Sequence, residues 1–206
     1  MKIKIIDLGV SNINSVHKCL SYMGFESEIV QTPNKLIDSD KIIFPGVGAF
    51  SNVMKIIENN KWDEVLKKKI FNDKVSVLGI CLGMQLLCRE SIEHEKKSGL
   101  NIFDIGVKKM SDHIDSNKFK LPHIGWNSVQ IKKNSILFDG IKNGSDFYFN
   151  HSYGILDLDK NVDCVTNHEI DFASVISYKN IFGVQFHPEK SLDDGKILLK
   201  NFITKV

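Results

Sequence analysis

The sequence predicts an α/β fold, in which a mostly parallel central sheet is flanked by helices and carries added antiparallel strands at its edge. In the first half of the chain, short buried runs alternate with stretches whose apolar residues recur at helical spacing. This alternation favours a parallel sheet covered on both faces. After about Gly106 the pattern changes to short strand-like runs separated by turns. No internal repeat or flexible linker interrupts the chain, so we expect a single domain over residues 1–206.

In the first half, buried apolar runs predict strands and a period near 3.6 predicts helices. The strands are expected at residues 3–7, 25–30, 41–44 and 75–79. The helices are expected at residues 13–23, 50–58, 62–71 and 82–90. Gly24 stands where a helix C-cap belongs.

In the second half, shorter runs predict strands that return in the antiparallel sense. They are expected at residues 106–109, 128–132, 146–150, 164–168, 172–178 and 181–186. A final helix is expected at about residues 192–203, and residues 93–99 are expected to form a polar loop.

Composition excludes several classes of function. The hydrophobic share of 42% and the charged share of 25% are typical of a soluble globular protein. A net charge of +2 is too small to indicate binding to nucleic acid or an anionic membrane. Arg89 is the only arginine, although guanidinium groups are the usual ligands for phosphate.

Composition also predicts the cellular location of the protein and whether it binds a metal or a cofactor. No apolar run approaches the length of a membrane span, and the N-terminus leaves no room for a signal peptide, so we expect a cytoplasmic protein. The four cysteines form no CxxC pair, which fits reduced thiols. The seven histidines are dispersed, and we expect neither a metal nor a cofactor.

One cysteine lies in a pattern that indicates catalysis. Residues 79–83, Gly-Ile-Cys-Leu-Gly, join a predicted strand to a predicted helix, as in a nucleophile elbow. The sharp turn would strain the backbone of Cys81 while the glycines give clearance, and it would present the thiol at the carboxyl end of the sheet. The helix N-terminus would favour a thiolate and offer N–H groups to an oxyanion. The alternative is a buried structural cysteine at a glycine-rich turn.

A second motif supplies the partners that a cysteine nucleophile needs. Residues 183–189, Gly-Val-Gln-Phe-His-Pro-Glu, place His187 and Glu189 at another strand end. A nucleophilic cysteine requires a base that takes its proton and returns it to the leaving amine, and the base itself must be oriented. Residues two apart in an extended segment point to the same side, so Glu189 can hold the His187 ring. The two motifs together predict a triad of Cys81, His187 and Glu189.

Residues 79–85 and 185–191 resemble the motifs of the class I, triad-type glutamine amidotransferases, and the resemblance covers nearly the whole chain. It implies a flavodoxin-like fold in which Cys81 forms a γ-glutamyl thioester, His187 is the general acid and base, and Glu189 orients it. It also implies an oxyanion hole made by the backbone N–H groups of Leu82 and of Val47 or Gly48. The residues implied in glutamine binding are Gly46, Gln85, His151, Ser152 and Tyr153.

Three further segments narrow the resemblance. Residues 7–16, 44–50 and 121–127 are similar to signatures of the glutaminase subunits of imidazole glycerol phosphate synthase. In that family ammonia passes to a (β/α)₈ cyclase subunit, which forms imidazole glycerol phosphate and aminoimidazole carboxamide ribotide in histidine synthesis. The resemblance therefore implies a heterodimer, with Asn12, Trp126, Tyr148 and Lys190 at the interface.

The chain departs from these subunits at Leu8 and Ser11, where the family usually has tyrosine and glycine. Both residues belong to the segment expected to face the cyclase, so they bear on the destination of the ammonia and not on glutamine hydrolysis. The alternative destination is a paralogous pathway that makes acetamidino sugars for surface glycans.

Two other classes of protein can share this fold or this elbow. One is a catalytically silent binding protein, which the complete set of catalytic residues disfavours. The other is a cysteine peptidase or hydrolase, which the Met-Gln continuation of the elbow and the His-x-Glu spacing disfavour.

Overall fold

The alternation of strands and helices is present in the computed structural model, which describes residues 1–10, 13–93, 95–115, 120–159 and 161–206. The strands are β1 (Ile3–Ile6), β2 (Ser27–Val30), β3 (Lys41–Gly46), β4 (Ser76–Cys81), β5 (Cys88–Ser91), β6 (Lys97–Ser98), β7 (Phe103–Lys109), β8 (His123–Ser128), β9 (Gln130–Ile131), β10 (Asp146–His151), β11 (Tyr153–Gly154), β12 (Val162–His168), β13 (Ile170–Tyr178) and β14 (Ile181–Val184). The helices are α1 (Ile13–Tyr22), α2 (Phe50–Asn59), α3 (Trp62–Phe71), α4 (Leu82–Leu86) and α5 (Leu192–Lys205).

A large mixed sheet organises the chain, in the strand order β2-β1-β3-β4-β14-β13-β12-β9. The strands from β2 to β14 are parallel to their neighbours, whereas β13, β12 and β9 are added in the antiparallel sense. The predicted fold class, a mostly parallel sheet with antiparallel edge strands, is therefore confirmed. Among the described residues, no helix is long and apolar enough to cross a membrane.

The central strands are buried on both faces, which explains their continuous apolar sequence. Every residue of β1, β3 and β4 is buried. Along β3, Ile42 and Phe44 pack into the cluster that includes α2 and α3, while Ile43 packs into the cluster that includes α1 and α5. Each such side chain contributes about 1.5–3 kcal/mol by its burial. Helices on both faces thus fix the sheet whose carboxyl end carries the motifs predicted to be catalytic.

The helix expected at residues 82–90 is shorter than predicted. The α4 helix ends at Leu86, and β5 follows in a small sheet with the strand order β11-β7-β5-β6. The reason is competition for carbonyl groups. The backbone N–H groups of Leu100, Ile102 and Gly99 bind the carbonyls of Leu86, Leu87 and Arg89 at 2.8–2.9 Å.

Two other predictions in this region were also incomplete. The polar loop expected at residues 93–99 includes strand β6, and the strand expected at 128–132 is the end of β8 followed by β9. The main part of β8 has no apolar alternation that predicts its burial. It turns His123 inward and leaves Ile124 and Trp126 on the surface, so the usual pattern is reversed.

The start of α4 lies directly against β3, backbone to backbone. A Cβ atom added to Gly83 would stand 1.7 Å from the carbonyl oxygen of Phe44. A Cβ atom on Gly46 would stand 2.8 Å from the nitrogen of Gly83, and one on Gly79 would meet the backbone of Gly83 at the same distance. These glycines are needed because the two backbones leave no room for a methyl group.

We predict that Gly83→Ala destabilises the protein by more than about 3 kcal/mol, because the new methyl group meets backbone atoms that cannot move aside. The free energy of unfolding in urea would measure the effect. Gly106→Ala is the matched control, since its nearest atom is a side-chain carbon 3.9 Å away. Its change is expected to stay within about 1 kcal/mol, and equal losses in the two variants would contradict the prediction.

Candidate active site

Cys81 stands at the junction of β4 and α4, at the carboxyl end of the parallel strands. Its backbone has φ +55° and ψ −113°, a strained conformation for a residue with a side chain. The side chain is nearly buried, and its thiol lies 3.8 Å from the carbonyl oxygen of Asn150. The geometry is that of a nucleophile elbow, with the sulfur held at the edge of the sheet where ligands of α/β folds bind.

His187 and Glu189 form a buried pair beside this cysteine. The His187 Nδ1 atom lies 2.9 Å from Glu189 Oε1, and the two side chains are 5% and 2% exposed. The backbone N–H of His187 donates to the carbonyl of Tyr148 at 2.8 Å, and Ser191 Oγ donates to the carbonyl of His187 at 2.6 Å. The ring lines the same cleft as Cys81 and is fixed by its own side chain and by its backbone.

The surroundings of His187 favour its protonated form. Burial lowers the pKa of the imidazole, but the hydrogen bonds to Cys81 and Glu189 and the negative charges of these groups outweigh it. The net result is a pKa raised from 6.5 to about 10. At neutral pH the ring is therefore an imidazolium that can give a proton to a leaving amine.

The candidate oxyanion donors lie on the same cleft as Cys81 and His187. Leu82, Val47 and Gly48 all line it, and Val47 is 38% exposed. Gly48 has φ +104°, a conformation that glycine adopts without strain. Gly46 is buried and packs against Leu82 and Gly83, so it supports the loop without lining the cleft.

The cleft has a volume of about 250 Å³, which suits a single amino acid. Five residues were predicted to hold glutamine. Four of them, Gln85, His151, Ser152 and Tyr153, line the cleft, and Gly46 does not. Gln85 is buried, and its amide nitrogen donates to the carbonyl oxygen of Tyr153 at 3.0 Å.

Three residues of the cleft were missed from the sequence: Glu93, Pro122 and Asn150. Glu93 is the most informative, because it brings a carboxylate that suits the ammonium group of an amino acid. Its Oε2 atom accepts a hydrogen bond from the backbone N–H of Phe50 at the start of α2, at 2.6 Å. Glu93 belongs to a segment that reads only as a polar loop, so no sequence signal distinguished it from the neighbouring glutamates.

A chain of hydrogen bonds fixes His151 from behind the cleft. Its Nδ1 atom lies 2.9 Å from the carbonyl oxygen of Tyr153, which can only accept, so Nδ1 carries the hydrogen. His151 Nε2 then accepts from His123 Nδ1 at 3.1 Å, and His123 Nε2 accepts from Asn127 Nδ2 at 3.2 Å. This order assigns one tautomer to each ring.

Both rings of this chain are neutral at physiological pH. Burial lowers the pKa of His151 to about 3 and that of His123 to about 4. They are therefore suited to positioning and not to proton transfer at neutral pH. In the described parts of the chain, no three histidine, cysteine or acidic side chains are grouped as metal ligands would be.

Three of the four residues assigned to a partner interface, Trp126, Tyr148 and Lys190, lie on one face, and the Tyr148 ring is 6.5 Å from the ring of His187, which lines the cleft. Trp126 on β8 is 49% exposed, and its ring lies 6.2 Å from that of Tyr148 on β10. The Lys190 ammonium group lies 5.5 Å from the Tyr148 ring, and Lys190 follows the Glu189 of the candidate triad. Asn12 and Ser11 lie outside the described residues. Leu8, which was expected to face the partner, is instead buried in the core.

Comparison with known proteins agrees with this geometry. The family model for "Glutamine amidotransferase class-I" matches residues 4–206. The imidazole glycerol phosphate synthase subunit HisH of Blochmanniella floridana is 42% identical over 203 residues, which cover 98% of this chain and 99% of that protein. The subunit of the same name from Pyrococcus furiosus is 43% identical over 203 residues, which cover 98% and 97%.

Solved structures support the fold. The structure of PurLQS from Thermotoga maritima superposes with a TM-score of 0.75, covering 98% of this chain and 97% of that chain, at 19% sequence identity. At this identity the similarity concerns the fold alone.

We predict that Glu189→Gln lowers the pKa of His187, because the buried carboxylate no longer stabilises the imidazolium. NMR titration of the His187 ring would measure the shift. Since the folded-state pKa is raised above 6.5, the associated stability is fully present below pH 6.5 and is lost as pH rises through about 10.

The variant should therefore unfold more easily than the wild type at pH 6.5, by about 1.4 kcal/mol for each unit by which the pKa falls. The difference should shrink towards pH 10. Asp193→Asn is the matched control, because this exposed carboxylate on α5 pairs, among the described residues, with Lys196. A Glu189→Gln deficit that does not depend on pH would contradict the ion pair.

Proposed function

The chain belongs to the class-I glutamine amidotransferase family, and on that basis we propose that it is the glutaminase subunit of an imidazole glycerol phosphate synthase. It hydrolyses L-glutamine to glutamate and ammonia, and the ammonia serves histidine synthesis. The observation that carries this proposal is the identity of 42–43% to subunits of that name over nearly the full length of both chains. The names of these relatives favour histidine synthesis over the paralogous supply of ammonia for acetamidino sugars.

The first half of the reaction is acylation of Cys81. The Sγ atom attacks the carboxamide carbon of glutamine, and the carbonyl oxygen takes the negative charge. The backbone N–H groups of Leu82 and of Val47 or Gly48 stabilise that oxyanion. The C–N bond then breaks as His187 gives its proton to the leaving nitrogen, so that ammonia departs and a γ-glutamyl thioester remains.

The second half is hydrolysis of the thioester. His187, now neutral, takes a proton from a water molecule that attacks the same carbonyl carbon. The C–S bond breaks, its electron pair stays on Sγ, and glutamate leaves. Glu189 keeps the ring in one orientation throughout, while Gln85, His151, Ser152, Tyr153 and Glu93 hold the substrate.

Free ammonia is protonated in water, so its use in synthesis requires a docked acceptor. We propose that a (β/α)₈ cyclase subunit docks as a heterodimer on the exposed face formed by Trp126, Tyr148 and Lys190. The support is that this face is aromatic and adjoins the cleft, and aromatic residues are enriched at interfaces. The unit that docks would be one domain, since the large sheet takes strands from both halves of the chain. We propose a cytoplasmic location.

We predict that Cys81→Ser lowers glutamate release in the presence of the cyclase by more than about 100-fold, because the nucleophile is lost. Cys19→Ser is the matched control, since Cys19 is half-buried on α1 and does not line the cleft. In cells, the wild type should restore growth to a histidine auxotroph that lacks its glutaminase subunit, and the Cys81→Ser variant should not.

The two readouts separate the chemistry from the pathway. Glutaminase activity that survives Cys81→Ser would refute the nucleophile. Active wild-type enzyme that fails to complement the auxotroph would refute the role in histidine synthesis.

We further predict that the isolated chain is a slow glutaminase and that the cyclase accelerates it at least tenfold, since the exposed loop at Val47 and Gly48 would be fixed only in the complex.

Trp126→Ala should raise the dissociation constant of the complex by about tenfold or more, as expected for an aromatic residue that becomes buried when the partner docks. Fluorescence or calorimetric titration would measure it.

Tyr22→Ala is the matched control for docking. Tyr22 is 82% exposed at the end of α1 and does not line the cleft. Equal effects of the two substitutions, or full activity of the chain alone, would contradict the proposed interface.

A further inference from the structure

Gln185 lies beneath Cys81 and has no role among the catalytic and substrate-binding residues described above. It follows β14, two residues before His187, and its side chain is completely buried. Its amide nitrogen lies 3.7 Å from Cys81 Sγ, and its amide oxygen accepts a hydrogen bond from Gln85 Nε2 at 2.9 Å. A buried amide placed against a reactive sulfur is chemically significant only if its donor group faces the sulfur.

The neighbouring hydrogen bonds determine which way this amide points. The carbonyl oxygen of Tyr153 can only accept, so the group of Gln85 that lies 3.0 Å from it must be the NH₂ group. The same NH₂ group is 2.9 Å from Gln185, so Gln185 must present its oxygen there. Reversing Gln185 would bring two NH₂ groups together. Its own NH₂ group is therefore directed at Cys81 Sγ.

The hydrogen-bond network around Gln185 is fixed at two points, the carbonyl oxygen of Tyr153 and the backbone of Gln185. The carbonyl oxygen of Tyr153 accepts from Gln85 and also from His151 Nδ1, at 3.0 and 2.9 Å. The backbone N–H of Gln185 donates to the carbonyl of Ser174 on β13 at 2.9 Å, which fixes the start of the side chain. With both of its ends fixed, the Gln185 amide cannot turn away from the sulfur at little cost.

We infer that Gln185 is a further catalytic residue, which donates a hydrogen bond to Cys81 Sγ and stabilises its thiolate form. The inference rests on the proposed role of Cys81 as nucleophile. Hydrogen bonds to ionised groups are stronger than those to neutral ones, and more so in a buried site. The His187 imidazolium in the same cleft is a second group that favours negative charge on the sulfur.

This bond acts on both halves of the reaction. Before acylation it raises the fraction of Cys81 present as the attacking thiolate. In hydrolysis, the C–S bond breaks and the electron pair returns to Sγ, where the Gln185 NH₂ group is already in place. Because the interaction strengthens as charge develops on the leaving sulfur, it lowers the barrier of the second step.

The test measures the reactivity of Cys81 in the full chain, without glutamine or cyclase. Iodoacetamide would be reacted with the protein across a series of pH values, and the modification of Cys81 would be followed by peptide mass spectrometry. This readout keeps the other cysteines separate. Gln185→Met replaces the amide by an apolar group of similar size, and Gln185→Glu keeps the acceptor for Gln85 while removing the donor to sulfur.

We expect the midpoint of the pH–alkylation curve to lie about one pH unit higher in Gln185→Met than in the wild type. At pH values below both of these midpoints, alkylation of the variant would then be about tenfold slower than that of the wild type. A larger rise is expected in Gln185→Glu, because a carboxylate would repel the thiolate. Ser174→Ala is the matched control, since its hydroxyl is buried on the adjacent strand and has no hydrogen-bond partner in the part of the chain that the structure describes. It should leave the midpoint unchanged.

A wild-type midpoint in a folded Gln185 variant would overturn the inference, and Gln185→Glu decides the question if Gln185→Met does not fold. The outcome is distinct from that of the proposed function. Active glutaminase with an unshifted curve would refute the role of Gln185 alone. A shifted curve in a chain that cannot hydrolyse glutamine would refute the proposed function and leave the Gln185–Cys81 bond in place.

Discussion

The close approach of the β3 backbone to the start of α4 is the constraint on which the rest of the site depends. Because Gly46, Gly79 and Gly83 lack side chains, the backbones meet at distances that no methyl group would allow. The chain can then turn from β4 into α4 within one residue, and Cys81 takes the strained conformation at that turn. Strain of this kind persists only where the surrounding structure holds it. Here that support is the parallel sheet with helices packed on both of its faces.

The parts of the fold that follow local rules could be predicted from the sequence. Continuous apolar runs identified the strands that are buried on both faces, and glycines around Cys81 identified the sharp turn. The end of α4 could not be predicted from local sequence. It depends on backbone N–H groups of residues 99–102, more than ten residues further along the chain, which donate to the carbonyls at and just after the end of the helix. Strand β8 was missed for a related reason. Its inward residues are polar and its outward residues are apolar. A prediction that places apolar residues inside therefore assigns the two faces of this strand incorrectly.

The same distinction holds for the candidate site. His187 was found because the motif that carries it also carries its partner Glu189, whereas Gln85 was implied by the resemblance of the extended elbow to a known family. Glu93 and Asn150 reach the cleft only through the tertiary fold, and neither stands in a pattern that separates it from surface residues. The donor and acceptor in each of these hydrogen bonds also could not be predicted from the sequence. They follow from the single carbonyl oxygen of Tyr153, which determines how Gln85, Gln185, His151 and His123 must each be oriented.

The two-stranded sheet of β8 and β10 carries functional residues on both of its faces. The register of the two strands determines which residues lie on each face. Trp126 pairs with Tyr148 on the outer face, and His123 pairs with His151 on the inner one. Because side chains alternate along a strand, inserting or deleting one residue in β8 would exchange the faces and turn Ile124 into the buried layer behind the cleft. Substitutions on the outer face leave that register intact and would act on docking alone. A change in the length of this segment would instead disturb the docking face and the buried histidine pair together.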